Sequence, residues 1–475
     1  MDVLILFIRI KLRLLILFFA FFFIGNTAAQ HFSTIHWMQG IPQSKYTNPG
    51  LYPDARIYVG MPGVSSVNLG YAHSGFMPGD LLRQNDDGSF YIDDENMLSK
   101  LKDKNYLGID YQHELLAFGF KSSRENYYSF NLTERANVRL GYPKDLFYLA
   151  LKGNDYFVQE DRKASFSGLG ANVAHYREMG VGFSRYWLDN LTAGARVKIL
   201  FGMGNVNFAK TDLSLYTNPD TYDFNIHSDV LINTSLPLFE IEVDSETNEF
   251  SINEKDGFLP EDYLLNMNNL GFAIDIGGVY EITDRFLLGL SVLDLGFVSW
   301  NSDVSNLALK GDFDFTGISL DDFFDEDANA FEDILDSISG SFEFEKTSSG
   351  YRTMLPTHVL LSGTFKMSDR HKAGLMARGE FYDGSFYPSF TAAYSIQPIR
   401  AIGASLSYSI IYGNYSNIGA GLHINIWPLQ IYLVTDNFFP SLQPHKFQTT
   451  TVQLGVNWVI GYSHRRDRSK PLYSW

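Results

Sequence analysis

The sequence predicts an all-β fold: a transmembrane β-barrel of about fourteen antiparallel strands, with an N-terminal plug or hatch segment and a few short helices in its connections. Three observations predict it. Apolar residues recur at every second position in runs of about ten residues, the length that crosses a bilayer at a tilt. After the first 29 residues no apolar run approaches the length of a membrane helix. Composition supplies the third: 39 Phe, 28 Tyr and 40 Gly among 475 residues, with only 19% charged, suit aromatic interface girdles and tightly curved strands.

In chain order, MDVLILFIRIKLRLLILFFAFFFIGNTAAQ places Arg9, Lys11 and Arg13 before an apolar run from Leu14 to Ile24, followed by small residues. This is the layout of a cleaved secretory signal over residues 1–29, with the mature chain starting near Gln30. The absence of cysteine excludes disulfides, thiolate metal sites and a lipid-modified N-terminal Cys. Residues 30–103 are assigned to the plug and a first strand, and residues 104–463 to the barrel.

Strand runs follow at Leu107 to Phe120, Tyr127 to Leu140, Asn172 to Trp187, Leu191 to Phe201, Tyr222 to Ile232, Val359 to Met367, Ala373 to Phe381 and Phe386 to Ile396. The clearest come last. Ile402, Ala404, Leu406, Tyr408 and Ile410 alternate with Gly403, Ser405, Ser407 and Ser409; Val452, Leu454, Val456, Trp458 and Ile460 alternate with Gln453, Gly455, Asn457 and Gly461. Two connections read as helices. DDENMLSKLKDK has acids first and lysines last around an apolar stripe, and YPKDLFYLALKG runs from a helix-starting Pro143 to a terminating Gly153.

Twelve of the acids behind the net charge of −17 stand between Lys310 and Lys346, where there is no basic residue. Acidic insertions are therefore placed at 237–262 and 311–346, the second as a solvated helix; its DEDAN stretch lacks the glycine and glutamate of a calcium loop. A basic tail, HRRDRSKPLYSW, ends the chain at 464–475. No basic patch supports nucleic-acid binding, and no cofactor or metal is implied.

Two N-terminal stretches, YTNPGLYPDARIYVGMPGVSSVNLGYAHSGFMPGDLL and SFNLTERANVRLGYPKDLFYLALKGN, together with LGFAIDIGGVYEITDRFLLGLSVLDLGFVSW and LPTHVLLSGTFK, carry a family likeness. At these residues the chain resembles an uncharacterised, domain-of-unknown-function family of Bacteroidota outer-membrane proteins, which implies a Gram-negative outer membrane. More remotely, Asn48-Pro49-Gly50 is similar to the Asn-Pro-Ala of long-chain fatty-acid transporters and type IX secretion shuttle barrels. That resemblance implies fourteen strands around an N-terminal segment. The triplet ends in Gly50 rather than Ala, and the transporters' other hatch and ligand-pocket motifs are not recognisable. A plugged barrel is thus implied more firmly than fatty-acid transport.

Strand parity gives the candidate sites. In GFAIDIGGVYEITDRFLLGLSVLDLGFVSW, Phe272, Ile274, Ile276 and Tyr280 share the apolar face, which turns Asp275 and Glu281 inward. The return strand changes parity near Asp294, so a bulge at Val292 to Asp294 is expected, and the two aspartates need not meet. The inward set is Arg196, Lys198, Asp275, Glu281, Lys372, Arg378, Glu380 and His423. These residues would pair across the lumen or hold the plug; lining a solute path is the other reading. Ser405, Ser407 and Ser409 share a face with His423 and Asn425, which makes an outer-membrane hydrolase a remote alternative, although serines are the ordinary filling of such a face.

The function expected is a gated passive transporter or channel for small molecules, hydrophobic ones included, and not an enzyme. The alternative is a structural or secretion-accessory barrel that binds protein partners through its acidic loops. In either case outer-membrane lipid and lipopolysaccharide are the surroundings.

Overall fold

Alternation in the sequence becomes a wall in the structure. A computed structural model describes residues 33–462 except 77–81, 85–88, 124, 244–249, 256, 258, 265, 316–342, 383, 400, 412–413 and 443–447. In it fourteen antiparallel strands form one closed barrel. They are β1 (Ala55–Gly60 and, after a break, Ser66–His73), β2 (Lys104–Lys121), β3 (Asn126–Pro143), β4 (Gly170–Leu188) and β5 (Leu191–Thr217). Next come β6 (Phe224–Ser235 and Asn269–Glu281), β7 (Phe286–Trp300 and Val304–Phe315) and β8 (Glu343–Thr347, Tyr351–Met354 and Thr357–Lys366). The ring is completed by β9 (His371–Tyr382), β10 (Ser385–Ile399), β11 (Ile402–Ile411), β12 (Asn414–Ile426), β13 (Leu429–Thr435) and β14 (Thr449–Tyr462). The seam lies at β1, where Val59 pairs with both Phe118 of β2 and Trp458 of β14.

On β14, Leu454, Trp458 and Ile460 are exposed outward while Gln453, Gly455 and Asn457 are buried inward. On β11, Leu406 and Tyr408 face out and Ser405, Ser407 and Ser409 face in. A wall with this polarity keeps polar groups off its outer face, where a charge in lipid would cost about 2–4 kcal/mol. At one end the turns β2–β3, β4–β5, β6–β7, β8–β9, β10–β11 and β12–β13 have two to four residues. The long connections leave the other end.

In the β6–β7 hairpin, Ile274 pairs with Leu295 but Ile276 with Val292, so Leu293 and Asp294 together oppose Asp275. This is the bulge anticipated from the parity change, and Asp294 takes a left-handed φ of 56°. β5 runs well past Phe201, where the alternation stops, because bulges near Met203 and Ala209 shift its register without ending it. At 27 residues it reaches about 90 Å at ~3.3 Å per residue, so β5 and the upper parts of β6, β7 and β8 rise beyond the apolar belt.

The two connecting helices form where the sequence placed them. Helix α1 (Asp94–Lys100) is capped by Asp93, which accepts from Asn96 N at 3.0 Å, and it packs Met97, Leu98 and Leu101 against Phe76, Tyr142 and Phe147. Helix α2 (Lys144–Lys152) stops at Gly153, whose φ of 73° is left-handed. The insertion at 237–262 folds partly into a hairpin, Phe239–Val243 with Phe250–Glu254. The signal at 1–29, the helix and DEDAN readings within 316–342, and the tail at 464–475 lie outside the described residues.

Residues 33–54 run along the inward face of the wall through two short 3₁₀ turns, Ile35–Trp37 and Pro42–Tyr46. Their apolar side chains share clusters with inward wall residues: Ile35, Met38 and Ile41 with Tyr432 and Val434, and Trp37 with Leu293, Leu360 and Met376. Trp37 fits because β9 carries Gly374 at the contact, where any Cβ would collide with the indole.

Candidate functional site

The N-terminal segment is fastened at three levels, starting at the long-loop end. Beyond β13, Asp436 accepts from Thr34 N at 2.7 Å and Thr34 Oγ1 at 2.6 Å. Burial pushes its carboxyl above the usual range against the pull of these donors. At mid-height the buried Glu114 of β2 accepts from Tyr46 Oη, Ser65 Oγ and, at 3.1 Å, Gln43 Nε2. Gln43 and Asn457 of β14 exchange two amide hydrogen bonds of 2.9 Å.

Nearest the short turns sits Asn48-Pro49-Gly50. Asn48 Nδ2 donates to Gly278 O at 3.2 Å and Leu290 O at 3.3 Å, while its Oδ1 accepts from Gly50 N at 2.7 Å. Ser184 Oγ donates to Pro49 O at 2.6 Å and Ser291 Oγ to Thr47 O at 2.8 Å. The wall meets this turn with glycine. A Cβ on Gly50 would lie 2.5 Å from Gly278 Cα, which explains why the triplet ends in Gly rather than Ala.

His36 belongs to the same segment. Thr47 Oγ1 donates to Ser44 O at 2.7 Å, so its lone pair accepts the Nδ1 proton of His36 at 2.7 Å. The ring is neutral and buried, and that burial lowers its pKa to about 4.

Beside the segment, six charges interlock across β3 to β7. Arg135 Nε lies 2.9 Å from Glu178 Oε2, Arg196 Nη2 2.9 Å from Glu178 Oε1, and Arg196 Nε 3.0 Å from Asp275 Oδ2. Lys198 reaches Asp275 at 2.6 Å and also pairs with Asp294, whose backbone N donates to Asp275 Oδ1 at 2.7 Å. The two aspartates therefore do meet, through Lys198, because the bulge folds Asp294 back onto its neighbour. Three acids match three bases, the balance that burial requires.

A second set bridges the lumen. Arg139 of β3 pairs at 2.6 Å with Glu380 of β9, on nearly opposite sides of the ring. Arg378 donates to His358 Nδ1 at 3.0 Å and stands 3.8 Å from Glu380. Between Arg378 and the segment lies a small cavity of about 40 Å³ with Tyr46 and Thr47 on one side and Arg135, Arg196, Lys198 and Arg378 on others.

Of the eight inward candidates, the structure brings Arg196, Lys198 and Asp275 into the first network and Arg378 and Glu380 into the second. Lys372 Nζ donates to Gln39 Oε1 at 2.7 Å. His423 is buried against Gly40, and neither ring nitrogen has a hydrogen-bond partner among the described residues, so no serine is paired with it. Glu281 stands apart at the short-turn end, 3.9 Å from Lys366. Among the described residues no group of acids and histidines is placed to hold a metal.

Sequence reading missed Glu114, Arg135, Arg139, Glu178 and His358. Glu134-Arg135 and Arg177-Glu178 are adjacent charged doublets, and alternation alone does not say which member faces in. The structure turns Glu134 and Arg177 outward, where they pair with each other.

No curated protein matches the chain. Among solved structures the similarity is remote. A Pseudomonas aeruginosa FadL homologue is 12% identical with a TM-score of 0.40, covering 92% of this chain and 100% of that one. The Ralstonia pickettii toluene transporter TbuX is 9% identical with a TM-score of 0.41, covering 93% and 100%. The Pseudomonas putida toluene transporter TodX is 8% identical with a TM-score of 0.38, covering 92% and 95%. A match over residues 49–436, reaching from Pro49 of the seated turn to Asp436 at its far anchor, assigns the chain to the family of unknown function DUF5723, to which it belongs.

Proposed function

We propose that the protein is an outer-membrane barrel that passes small molecules through a lumen gated by residues 33–54, a plug held from within. One observation carries this reading: the segment is hydrogen-bonded to inward-facing groups on strands around the ring, yet a polar cavity remains beside it. A purely structural filler would have no need of that space. The short turns mark the periplasmic end by the usual asymmetry of such barrels. Passage is passive in this reading.

Liposomes carrying the full-length protein and a deletion of residues 33–54 test the proposal. The deletion variant is expected to admit small solutes that the intact barrel excludes or admits slowly. Equal impermeability of both, with both folded, would refute it. The reading as a partner-binding barrel draws on β5 to β8 rising past the apolar belt, and it would then stand in its place.

A further inference from the structure

Lys45 of the N-terminal segment is buried, and among the described residues no carboxylate stands within ion-pair distance of it. Its one hydrogen bond among those residues runs from Nζ to Tyr58 Oη at 2.6 Å. Rings surround the ammonium instead: Tyr58, Tyr46 and Tyr127 are centred 4.7, 5.2 and 5.5 Å from Nζ. Aromatic enclosures of this kind hold ammonium groups away from water. Two of the rings belong to the wall, Tyr58 on β1 and Tyr127 on β3, and Gly119 of β2 makes room for both. A Cβ on Gly119 would collide with the Tyr127 hydroxyl and lie 2.5 Å from Tyr58 Cε1. Glu114, also on β2, attracts the ammonium from further off, and Tyr127 Oη is buried with no hydrogen-bond partner among the described residues. The neighbouring cation Arg196, 4.5 Å from the Tyr46 ring, has its own carboxylates in Glu178 and Asp275. Tyr52 packs beside both Tyr127 and Tyr186, which carries the aromatic surface toward the short-turn end.

We propose that Tyr58, Tyr127 and Glu114 form a wall site for an organic ammonium ion, and that Lys45 is the tethered cation filling it while the segment is seated; the inference rests on the lumen being a passage gated by residues 33–54. The wall half of the site stands without the segment, because its rings and its acid all project from β1 to β3. Lys45 offers three N–H donors and uses one, so nothing in its seat is peculiar to a lysine. A free ammonium presents the same charge to the same ring faces and competes for them, and each occupancy by the solute subtracts from the hold on the segment. Entry of the cation and release of Lys45 are then one exchange. A neutral hydrocarbon or a carboxylate gains nothing from the negative faces of the rings.

Removing the tether separates the site from the segment. Full-length wild type and K45A in detergent are titrated calorimetrically with n-butylammonium, tetramethylammonium, n-butanol and butyrate, chymotrypsin cleavage within residues 33–54 is timed, and folding is checked by heat-modifiable migration. K45A is expected to bind an ammonium probe at least about tenfold more tightly than n-butanol or butyrate, and at least about tenfold more tightly than the wild type does, where Lys45 competes. The same probe should slow cleavage in K45A by refilling the enclosure and speed it in the wild type by displacing Lys45. K45A/G119A, with the enclosure closed, should lose the preference for ammonium, and K45A/Y127L, with one wall ring removed, takes its place if the first does not fold. Tighter binding of n-butylammonium would identify a primary amine hydrogen-bonded to Tyr58, and tighter binding of tetramethylammonium a quaternary one. Equal binding of ammonium and n-butanol to K45A, an ammonium preference that survives the second substitution, or unchanged cleavage of the wild type at saturating probe would overturn the proposal. Ammonium binding without permeation in liposomes would remove the passage reading and leave the site; permeation with no ammonium preference in K45A would do the opposite.

Discussion

A Cβ on Gly50 would stand 2.5 Å from Gly278 Cα, and backbone cannot yield as a flexible side chain can. G50A should therefore lift the Asn48-Pro49-Gly50 turn from the wall and lengthen both bonds from Asn48 Nδ2, at a cost of about 1–3 kcal/mol for overpacking. The change is to be read as faster proteolysis within residues 33–54 and faster solute entry, with the barrel still heat-modifiable; rates equal to wild type would show that the contact relaxes freely. His36 gives the segment a pH dependence. Its pKa of about 4 lies below its ordinary 6.5, so the displaced segment binds the proton more readily than the seated one. Stabilisation is complete above about pH 6.5 and is lost as pH falls toward 4, by up to roughly 3 kcal/mol. Amide protection in residues 33–47, corrected for the intrinsic pH dependence of exchange, should fall over that window in the wild type and vary less with pH in H36Q.

At the scale of elements, the β6–β7 hairpin couples a bulge to the charge network. Asp294 bends back at a φ of 56°, places its carboxylate on Lys198 and donates its N–H to Asp275. D275N would leave Arg196 and Lys198 short of one buried partner at a cost of about 3–5 kcal/mol, measured as a lower urea midpoint in detergent, whereas breaking the exposed pair Lys210–Asp229 should leave that midpoint nearly unchanged. This hairpin was largely legible in the sequence, because a parity change within an apolar strand can be absorbed only by an extra residue. The pairing of Asp275 with Asp294 was not, since parity assigns a face and says nothing about which inward side chains touch. β5 shows the other limit: alternation ends at Phe201 although the strand continues to Thr217, since bulges near Met203 and Ala209 reset the period twice.

For the whole molecule, the six-charge network and the Arg139–Glu380 bridge join wall to wall and use no residue of the N-terminal segment as an ion-pair partner. The barrel without residues 33–54 should accordingly remain closed and shift on heated gels as the full-length protein does; collapse to a protease-sensitive monomer would show instead that the segment is the core of the fold. The barrel architecture could be read from composition and strand period because they report on lipid and on the pleat. The site could not be read as fully, because its geometry comes from strands far apart in sequence, as with Arg139 and Glu380, 241 residues apart.

β1 is the seam, pairing with both β2 and β14, and the segment that leads into it lies inside the ring. Ala55 pairs with Tyr462 at the short-turn end, so the segment enters the lumen through that mouth and can seat after β14 has closed against β1. A finished barrel can therefore take in or release its own N-terminal segment with the seam intact, which makes seating an equilibrium of the folded wall and not a step in its assembly.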